Sequence, residues 1–370
     1  MFPRSPDQEL FEDTTRKFLE DACPPAKLRA LAPSPVGYEP GFWRQGAELG
    51  WTSLLVPEDA GGGSVSGHGV VDLALVAYQF GAHAAAGPLL GCNLVAAALG
   101  RWGTDEQRAG PLAQLVSGEA TGAWVRGDGE PHATSTATGV RLDGATSPVE
   151  ATSCTAHLLV VARHGDGRSQ FLVPADAPGV TVVPLHGVDA TRRFARVELA
   201  GVDVPQDASV GEPTSADAAV DWLSDLAVTV QLAEMCGAMQ WAFDTTLEWA
   251  RNRYSFGRPL ASYQEIKHRF ADMKMWLEAS LAISARAADA VDRDTPDRSE
   301  LVSAGKFYVG TYGVELMHDC VQIHGGIGVT TDHDLHLFLR RVVSDAAIFG
   351  SAREHAARLT DILEAKDEAG

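Results

Sequence analysis

The chain has 370 residues, of which 45% are hydrophobic and 21% charged, and its formal net charge is −19. This length supports one large fold or two to three packed subdomains. Such an acidic chain lacks the basic surface that binds nucleic acid or an anionic membrane, so we expect neither as a partner.

Cysteine and histidine spacing indicates free thiols and no metal site. The five cysteines are far apart and include no CxxC pair. The histidines between residues 318 and 336 do not fall at zinc spacings. The first residues, MFPRSPDQEL, have no apolar signal-peptide core, and no apolar stretch has the length of a membrane span. We therefore expect a cytoplasmic protein.

Residues 1–120 are predicted to be helical. Ser5 is a suitable N-cap, Pro6 fits the first helical position, and Gln8 completes a capping box. Apolar residues then recur at helical spacing. The glycine-rich stretch PEDAGGGSVSGHG predicts a loop between helices.

Residues 121–212 change character. Short Val- and Leu-rich segments, namely AHLLVVAR, SQFLVPA, GVTVVPL and FARVELAGVDVP, are separated by turn clusters such as HGDG and DAPG. This pattern predicts a small antiparallel β domain.

Residues 213–370 return to long helices. Apolar stripes at helical spacing are joined by the polar stretch DRDTPDR, and the pair Gly325-Gly326 is expected to end a helix. Long helices with short connections predict an antiparallel four-helix bundle. The fold class is therefore α+β, in the order helical, β, helical.

Two stretches of the last region are candidates for chemistry. In RNRYSFGRPLASYQEIKHRFADM, Arg251, Arg253 and Arg258 cluster at a turn made by Gly257 and Pro259. They could hold a phosphate, or they could be a solvated helix end whose cations balance the helix dipole. In CVQIHGGIGVTTDHDLH, the glycines suit a close backbone approach to a ligand, or simply a helix end and turn.

Together, RYSFGRPLASYQ and QIHGGIG resemble the motif pair of the acyl-CoA dehydrogenase family. The resemblance covers essentially the whole chain. It implies an N-terminal all-α domain (1–120), a middle antiparallel β domain (121–212) and a C-terminal four-helix bundle (213–370). It also implies α,β-dehydrogenation of an acyl-CoA substrate, in fatty acid or steroid side-chain catabolism, with FAD at a subunit interface. Electron-transfer flavoprotein is the usual acceptor in this family.

The resemblance assigns cofactor-binding roles to specific residues. Arg253 and Ser255 would hold the FAD pyrophosphate, and Phe256 would pack beside the flavin of the neighbouring subunit. The adenosine half would meet Gln264 and the turn that contains Gln322, Gly325 and Gly326.

The family's catalytic base is missing from the matching positions. Most members use the Glu of a final E-G-[TS] motif, and gap-free counting from GGIG places that position at Phe349. A minority use the first bundle helix, where this chain has Ala227 and Val228. Asp225 and Glu234 are out of register, and Glu354 is better explained as the capping partner of Ser351. The catalytic base is therefore left unassigned.

The β region also differs from the family's pattern. The family's T-E-P-x-x-G-S-D segment, which holds the flavin ring, is absent, and the corresponding stretch reads WVRGDGEPHATSTATG. The chain thus resembles the base-lacking partner subunits of actinobacterial, steroid side-chain type heterotetramers. Three alternatives stay open: a self-sufficient homotetrameric dehydrogenase, an acyl-thioester dehydratase or hydratase, and a binding protein without flavin.

Overall fold

A computed structural model describes residues 4–369 of the chain, and helices dominate both ends of the sequence. The helices are α1 (Pro6–Ala22), α2 (Pro25–Leu31), α3 (Pro40–Glu48), α4 (Gly69–Ala82), α5 (Leu89–Trp102), α6 (Asp105–Gln107), α7 (Ala113–Val116), α8 (Asp217–Asn252), α9 (Gln264–Asp292), α10 (Arg298–His324), α11 (Leu335–Ala347) and α12 (Ala352–Ala369). Five residues of π-helix, Arg108–Leu112, join α6 to α7.

The predicted helix ends are confirmed. The Ser5 hydroxyl accepts the backbone N–H of Gln8, and the Gln8 side chain accepts the N–H of Ser5, which together make the capping box. The polar stretch DRDTPDR separates α9 from α10, and α10 ends at Gly325.

Between the helical regions of the sequence lies a sheet. Its strands are β1 (Gly122–Val125), β2 (His132–Ser135), β3 (Gly139–Glu150), β4 (His157–His164), β5 (Gly167–Pro174), β6 (Val180–Leu185) and β7 (Phe194–Pro205). They are ordered β1-β4-β2-β3-β7-β6, and β5 also pairs with β4. The alternating inward side chains of these strands make a core that includes Leu142, Leu158, Phe171 and Val197.

The prediction of an antiparallel sheet needs one correction. Most neighbours are antiparallel, but β1 and β2 both run parallel to β4. The predicted strands β4–β7 are confirmed, whereas β1–β3 were not identified from the sequence. Their segments are rich in Gly, Thr and Ser, so they lack the Val and Leu runs that marked the others.

Cα packing divides the chain into two compact units. One comprises the residues up to Arg29, Ala74–Ala85 and Val228 onward, and the other comprises Ala30–Leu73 and Ala86–Ala227. The predicted domain boundaries, 1–120, 121–212 and 213–370, stay a prediction.

Within the first unit, α10 packs against α9, α11 and α12. Two helices also approach closely: a Cβ added to Gly237 on α8 would lie 1.9 Å from the Tyr78 carbonyl oxygen on α4. Glycine is required there because any larger side chain would separate the helices.

The five cysteines are free thiols, and four of them are buried. No helix within residues 4–369 combines the length and the apolar composition needed to cross a lipid bilayer.

Candidate functional site

The first candidate stretch forms a short hairpin at the end of α8. Its strands are β8 (Tyr254–Ser255) and β9 (Arg258–Pro259). The Arg253 N–H donates to the Trp249 carbonyl over 2.8 Å, and the Leu260 N–H donates to the Arg253 carbonyl over 2.8 Å. The Tyr263 hydroxyl donates to the Ser255 carbonyl over 2.7 Å. The backbone that carries Arg253 and Ser255 is therefore fixed on both sides.

The side chains of this hairpin point to water rather than to the protein. Arg253 is exposed, and no carboxylate within the described residues pairs with its guanidinium, whose Cζ lies 5.8 Å from the centre of the Trp249 ring. Ser255 is half-buried. Phe256 is 97% exposed and has a left-handed φ of 48°. A cation, a hydroxyl and an apolar ring are thus presented together, and no carboxylate of the described chain pairs with the cation.

The second candidate stretch makes a turn at the end of α10. Gln322 is exposed, and Gly325 adopts φ 68° and ψ −143°, a conformation open in practice only to glycine. A Cβ added to Gly325 or Gly326 would meet no other atom within 4 Å, so the space beside this backbone is open.

The two stretches meet at one end of the bundle. The ring of Trp249, in the last turn of α8, stacks on the ring of His324 with 5.2 Å between centroids. The structure therefore brings Arg253 and Ser255 near the turn of Gln322, Gly325 and Gly326. Gln264 begins α9 directly after Tyr263, and its side-chain nitrogen lies 3.5 Å from His268 Nε2. Their roles in binding a cofactor stay predictions.

Position 349 carries an aromatic residue in a firmly held turn. Phe349 is half-buried with a left-handed φ of 58°, and its carbonyl accepts from His355 Nε2 over 2.9 Å. The fully buried Lys306 donates to the carbonyl of Ile348 over 2.9 Å and also to the carbonyl of Asp345. The turn is thus anchored by the bundle interior, and its side chain at 349 has no group that accepts a proton.

The two candidate carboxylates of α8 are both buried. Glu234 is 5% exposed and is paired with the buried guanidinium of Arg341, which also donates to the carbonyl of Ala85 over 3.0 Å. Asp225 is fully buried. Neither carboxylate is therefore poised as an open proton acceptor.

Glu354 serves as a helix cap, as predicted. Its carboxylate accepts the Ser351 N–H over 2.8 Å, and the Glu354 N–H donates to the Ser351 hydroxyl over 3.3 Å. The backbone hydrogen bond from Ser351 lowers the pKa of Glu354, which makes this carboxylate a weaker base.

In the sheet region, the stretch that follows β1 uses its polar groups internally. The Asp128 N–H donates to the Ser147 carbonyl over 2.8 Å, and the Ser147 N–H returns a bond of 3.0 Å. Glu130 accepts from Arg163 over 2.9 Å and from Arg168 over 2.6 Å.

In the next strand, β2, the Ser135 side chain also has a partner within the protein. The Ser135 hydroxyl lies 2.9 Å from His164 Nε2, and the opposite ring nitrogen lies 2.9 Å from the Ser169 hydroxyl. The backbone of this segment pairs with β3 and β4. These groups are therefore committed to the sheet and its turns.

A pocket that sequence reasoning missed lies at the edge of this region. It encloses about 340 Å³, including its open mouth, and its lining includes Tyr38, Glu150, Thr152 and Arg192. Arg192 donates to Glu150 over 3.0 Å, and burial raises the pKa of Tyr38. Its charges are paired within the protein, and no local motif in the sequence signals it. Among residues 4–369, no three His, Cys, Asp or Glu side chains are grouped as metal ligands.

With this geometry established, two domain models of one family match the chain. They are the acyl-CoA dehydrogenase N-terminal domain over residues 5–119 and the acyl-CoA dehydrogenase C-terminal domain over residues 229–360. The acyl-CoA dehydrogenase FadE27 of Mycobacterium tuberculosis is 30% identical over 346 residues, which span 90% of this chain and 91% of that protein.

Two solved structures are also similar. A chain of the ChsE4-ChsE5 complex from Mycobacterium tuberculosis aligns with a TM-score of 0.90 and 28% identity, over 98% of this chain and 99% of that one. A chain from a variant of the Tcur3481-Tcur3483 steroid ACAD aligns with a TM-score of 0.88 and 27% identity, with the same coverage. The chain therefore belongs to the acyl-CoA dehydrogenase family of oxidoreductases.

Proposed function

We propose that this chain is the base-lacking subunit of a FAD-dependent acyl-CoA dehydrogenase, and that it works in a heterotetramer with a second, base-bearing chain. The reaction removes a proton from the α-carbon and a hydride from the β-carbon of an acyl-CoA thioester, which leaves an α,β-double bond. FAD, when bound, supplies the hydride acceptor. The proton acceptor is a carboxylate of the second chain.

The exposed end of the bundle carries this proposal. Arg253 has no carboxylate partner within residues 4–369, and Phe256 is 97% exposed beside it. Burying a phenylalanine side chain is worth about 1.5–3 kcal/mol, so a second chain that covers Phe256 gains that energy. Guanidinium, hydroxyl and backbone N–H groups are also the donors that a pyrophosphate accepts from. The residues present therefore fit the phosphate half of FAD.

The absence of a base at the expected position supports the same assignment. An α-proton of a thioester is weakly acidic, so its removal needs a carboxylate within reach. Phe349 cannot accept a proton, Glu234 is neutralised by Arg341, and Glu354 caps α12. This chain would then orient the cofactor while its partner moves the proton.

The sheet region supports a cofactor site that is shared between two different chains. The Asp128 and Ser147 backbone groups bond to each other, and Glu130 is held by two arginines. These groups are therefore not open to a flavin ring. In our proposal the ring is held by the sheet of the second chain, and this chain supplies Arg253, Ser255 and Gln322.

Similar proteins point to the substrate class and the partner. One structural relative is named a steroid ACAD, and another is a complex of two differently named chains. We therefore propose a steroid side-chain acyl-CoA thioester as substrate and a second acyl-CoA dehydrogenase subunit as partner. Electron-transfer flavoprotein is the proposed electron acceptor, as is usual in this family.

Flavin content per chain tests the proposal. The protein is purified alone and also after co-expression with an acyl-CoA dehydrogenase encoded beside it. We expect flavin only in the complex, at about one FAD for each pair of unlike chains. One FAD on every chain of the protein alone would establish the self-sufficient homotetramer instead. A complex that releases a hydrated product, rather than an unsaturated one, would establish the dehydratase or hydratase.

Asp225→Asn tests the second buried carboxylate of α8 in the same complex. We expect the dehydrogenation rate of the complex to stay within about threefold of the unsubstituted complex, because the partner supplies the base. A loss of more than about a hundredfold, with the thermal stability unchanged, would identify Asp225 as the base and contradict the proposal.

A further inference from the structure

Four planar groups are in contact at the exposed end of the bundle. The Arg253 guanidinium lies over Trp249, with 5.8 Å between Cζ and the ring centre. Trp249 stacks on His324 at an interplanar angle of 22°. His333 is tilted by 59° against His324, with 4.5 Å between centroids, and meets Trp249 edge-on at 6.5 Å. This aromatic cluster therefore links the predicted phosphate ligand to two imidazoles of the HGGIGVTTDHDLH stretch.

Hydrogen bonds fix the tautomer of each imidazole. His324 Nδ1 donates to the Cys320 carbonyl over 2.8 Å, so its Nε2 carries no proton in the neutral ring. That Nε2 is buried and has no hydrogen-bond partner within residues 4–369. His333 Nδ1 accepts the Leu335 N–H over 3.1 Å and thereby caps the start of α11.

Protonation of either ring would work against this arrangement. A proton on His324 Nε2 would be a buried donor without an acceptor in the described chain. A proton on His333 Nδ1 would remove the acceptor that caps α11. Two adjacent imidazoliums would also repel each other at this distance.

Burial favours the neutral rings, whereas the surrounding charges act in both directions. Burial is the first cause that lowers the pKa of His324, of His333 and of the nearby His336. Arg29 from α2 lowers the pKa of His333 and His336, and Arg340 from α11 lowers that of His336. Asp334, which is ion-paired with Arg29, raises the pKa of His333 and His336.

We infer that Trp249, His324 and His333 are positioning residues, whose aromatic cluster orients Arg253 toward the FAD pyrophosphate. This inference rests on the proposed function, because it needs Arg253 to bind that group. The electron-rich face of Trp249 attracts the guanidinium, and the contacts of Trp249 with His324 and His333 keep the indole from turning. The flexible Arg253 side chain then loses less conformational freedom when the ligand binds.

FAD affinity of the co-expressed complex tests the role of Trp249. The complex is stripped of flavin and titrated with FAD, and flavin fluorescence is followed. Trp249→Leu is expected to weaken binding by roughly three- to thirtyfold, and Trp249→Phe to restore most of the loss. Trp276→Leu is the matched control, because Trp276 stacks on Tyr312 elsewhere in the bundle and should leave the affinity unchanged.

The pH dependence of FAD affinity distinguishes a positioning role of the two histidines from a purely structural one. The folded-state pKa values of His324 and His333 are lowered from 6.5, so both rings are neutral above about pH 6.5 and take up protons as pH falls through the folded-state values. FAD affinity of the unsubstituted complex should therefore be constant above about pH 6.5 and fall below it. The double variant His324→Asn/His333→Asn can keep both Nδ1-type hydrogen bonds but cannot titrate, so its profile should be flat.

The outcomes distinguish this inference from the proposed function. If Arg253→Met abolishes binding but Trp249→Leu and the Asn pair behave like the unsubstituted complex, the positioning role is overturned and the proposed function stands. If the unsubstituted complex binds no FAD at any pH, both fail. Weakening by Trp249→Leu, recovery in Trp249→Phe and a flattened pH profile in the Asn pair together support the inference.

Discussion

The hairpin end of the bundle and the segment after β1 differ in how they use their polar groups. Arg253 at the bundle end has no carboxylate partner among the described residues, and Phe256 is almost fully exposed. After β1, Asp128 and Glu130 bond to the backbone and side chains of the sheet itself. A region that leaves donors open is prepared for a ligand, whereas a region that satisfies them internally is prepared for stability.

The largest expected effect is on stability and concerns Glu234, a buried carboxylate that is paired within the protein, unlike Arg253. Glu234→Gln should destabilise the fold by about 3–5 kcal/mol, because it leaves the buried Arg341 without its carboxylate. Urea unfolding of the chain measures this loss.

Asp289→Asn is the matched control for that substitution. It removes the ion pairs of Asp289 with the largely exposed Arg286 and Arg293, and should cost at most about 1 kcal/mol. If Glu234→Gln unfolds no more easily than this control but abolishes dehydrogenation, Glu234 is a base and our assignment is wrong.

A second prediction compares the two regions directly. Arg253→Met should weaken FAD binding by the complex about 10- to 150-fold, because a hydrogen bond to a charged group is worth about 1.5–3 kcal/mol. Arg126→Met in the sheet region should leave the affinity unchanged, since Arg126 lies over Trp124. Titration of the stripped complex with FAD measures both. If only Arg126→Met lost FAD binding, the cofactor would be held by the sheet region of this chain rather than by its bundle end.

The smallest expected effect lies at the turn that follows Phe349. Glu354→Ala should cost about 0.5–2 kcal/mol of unfolding free energy, because it removes the reciprocal cap of α12. Dehydrogenation by the folded complex should not change. Glu364→Ala, an exposed position on the same helix, should have little effect on either quantity.

The cap should also depend on pH. The folded-state pKa of Glu354 is lowered from its reference value of 4.5, so the stabilisation is present above about pH 4.5 and is lost as pH falls through the folded-state pKa. Unfolding measured between neutral and acid pH should therefore show the difference between Glu354→Ala and the unsubstituted chain shrinking at low pH. A constant difference would mean that the carboxylate is not the capping group.

Local signals predicted much of the helical part of the fold. Ser5 with Gln8, Ser351 with Glu354, and Gly325 act within one turn of the chain, so their hydrogen bonds and dihedral angles depend on neighbouring residues. The strands β4–β7 were predictable for the same reason, because their apolar runs are bounded by turn residues. The strands β1–β3 were not, because they lack such apolar runs, and the parallel pairing of β1 and β2 with β4 was not, since those partners are distant in sequence.

The sequence by itself determined the family, through a motif pair that carries Arg253, Ser255, Gln322 and the two glycines. It also determined that no carboxylate occupies position 349. Only the tertiary structure decided that Glu234 is neutralised by Arg341, that Lys306 anchors the turn before Phe349, and that Trp249 stacks on His324. These contacts join residues far apart in the chain, and whether a buried charge or ring has a partner is set by packing rather than by local spacing.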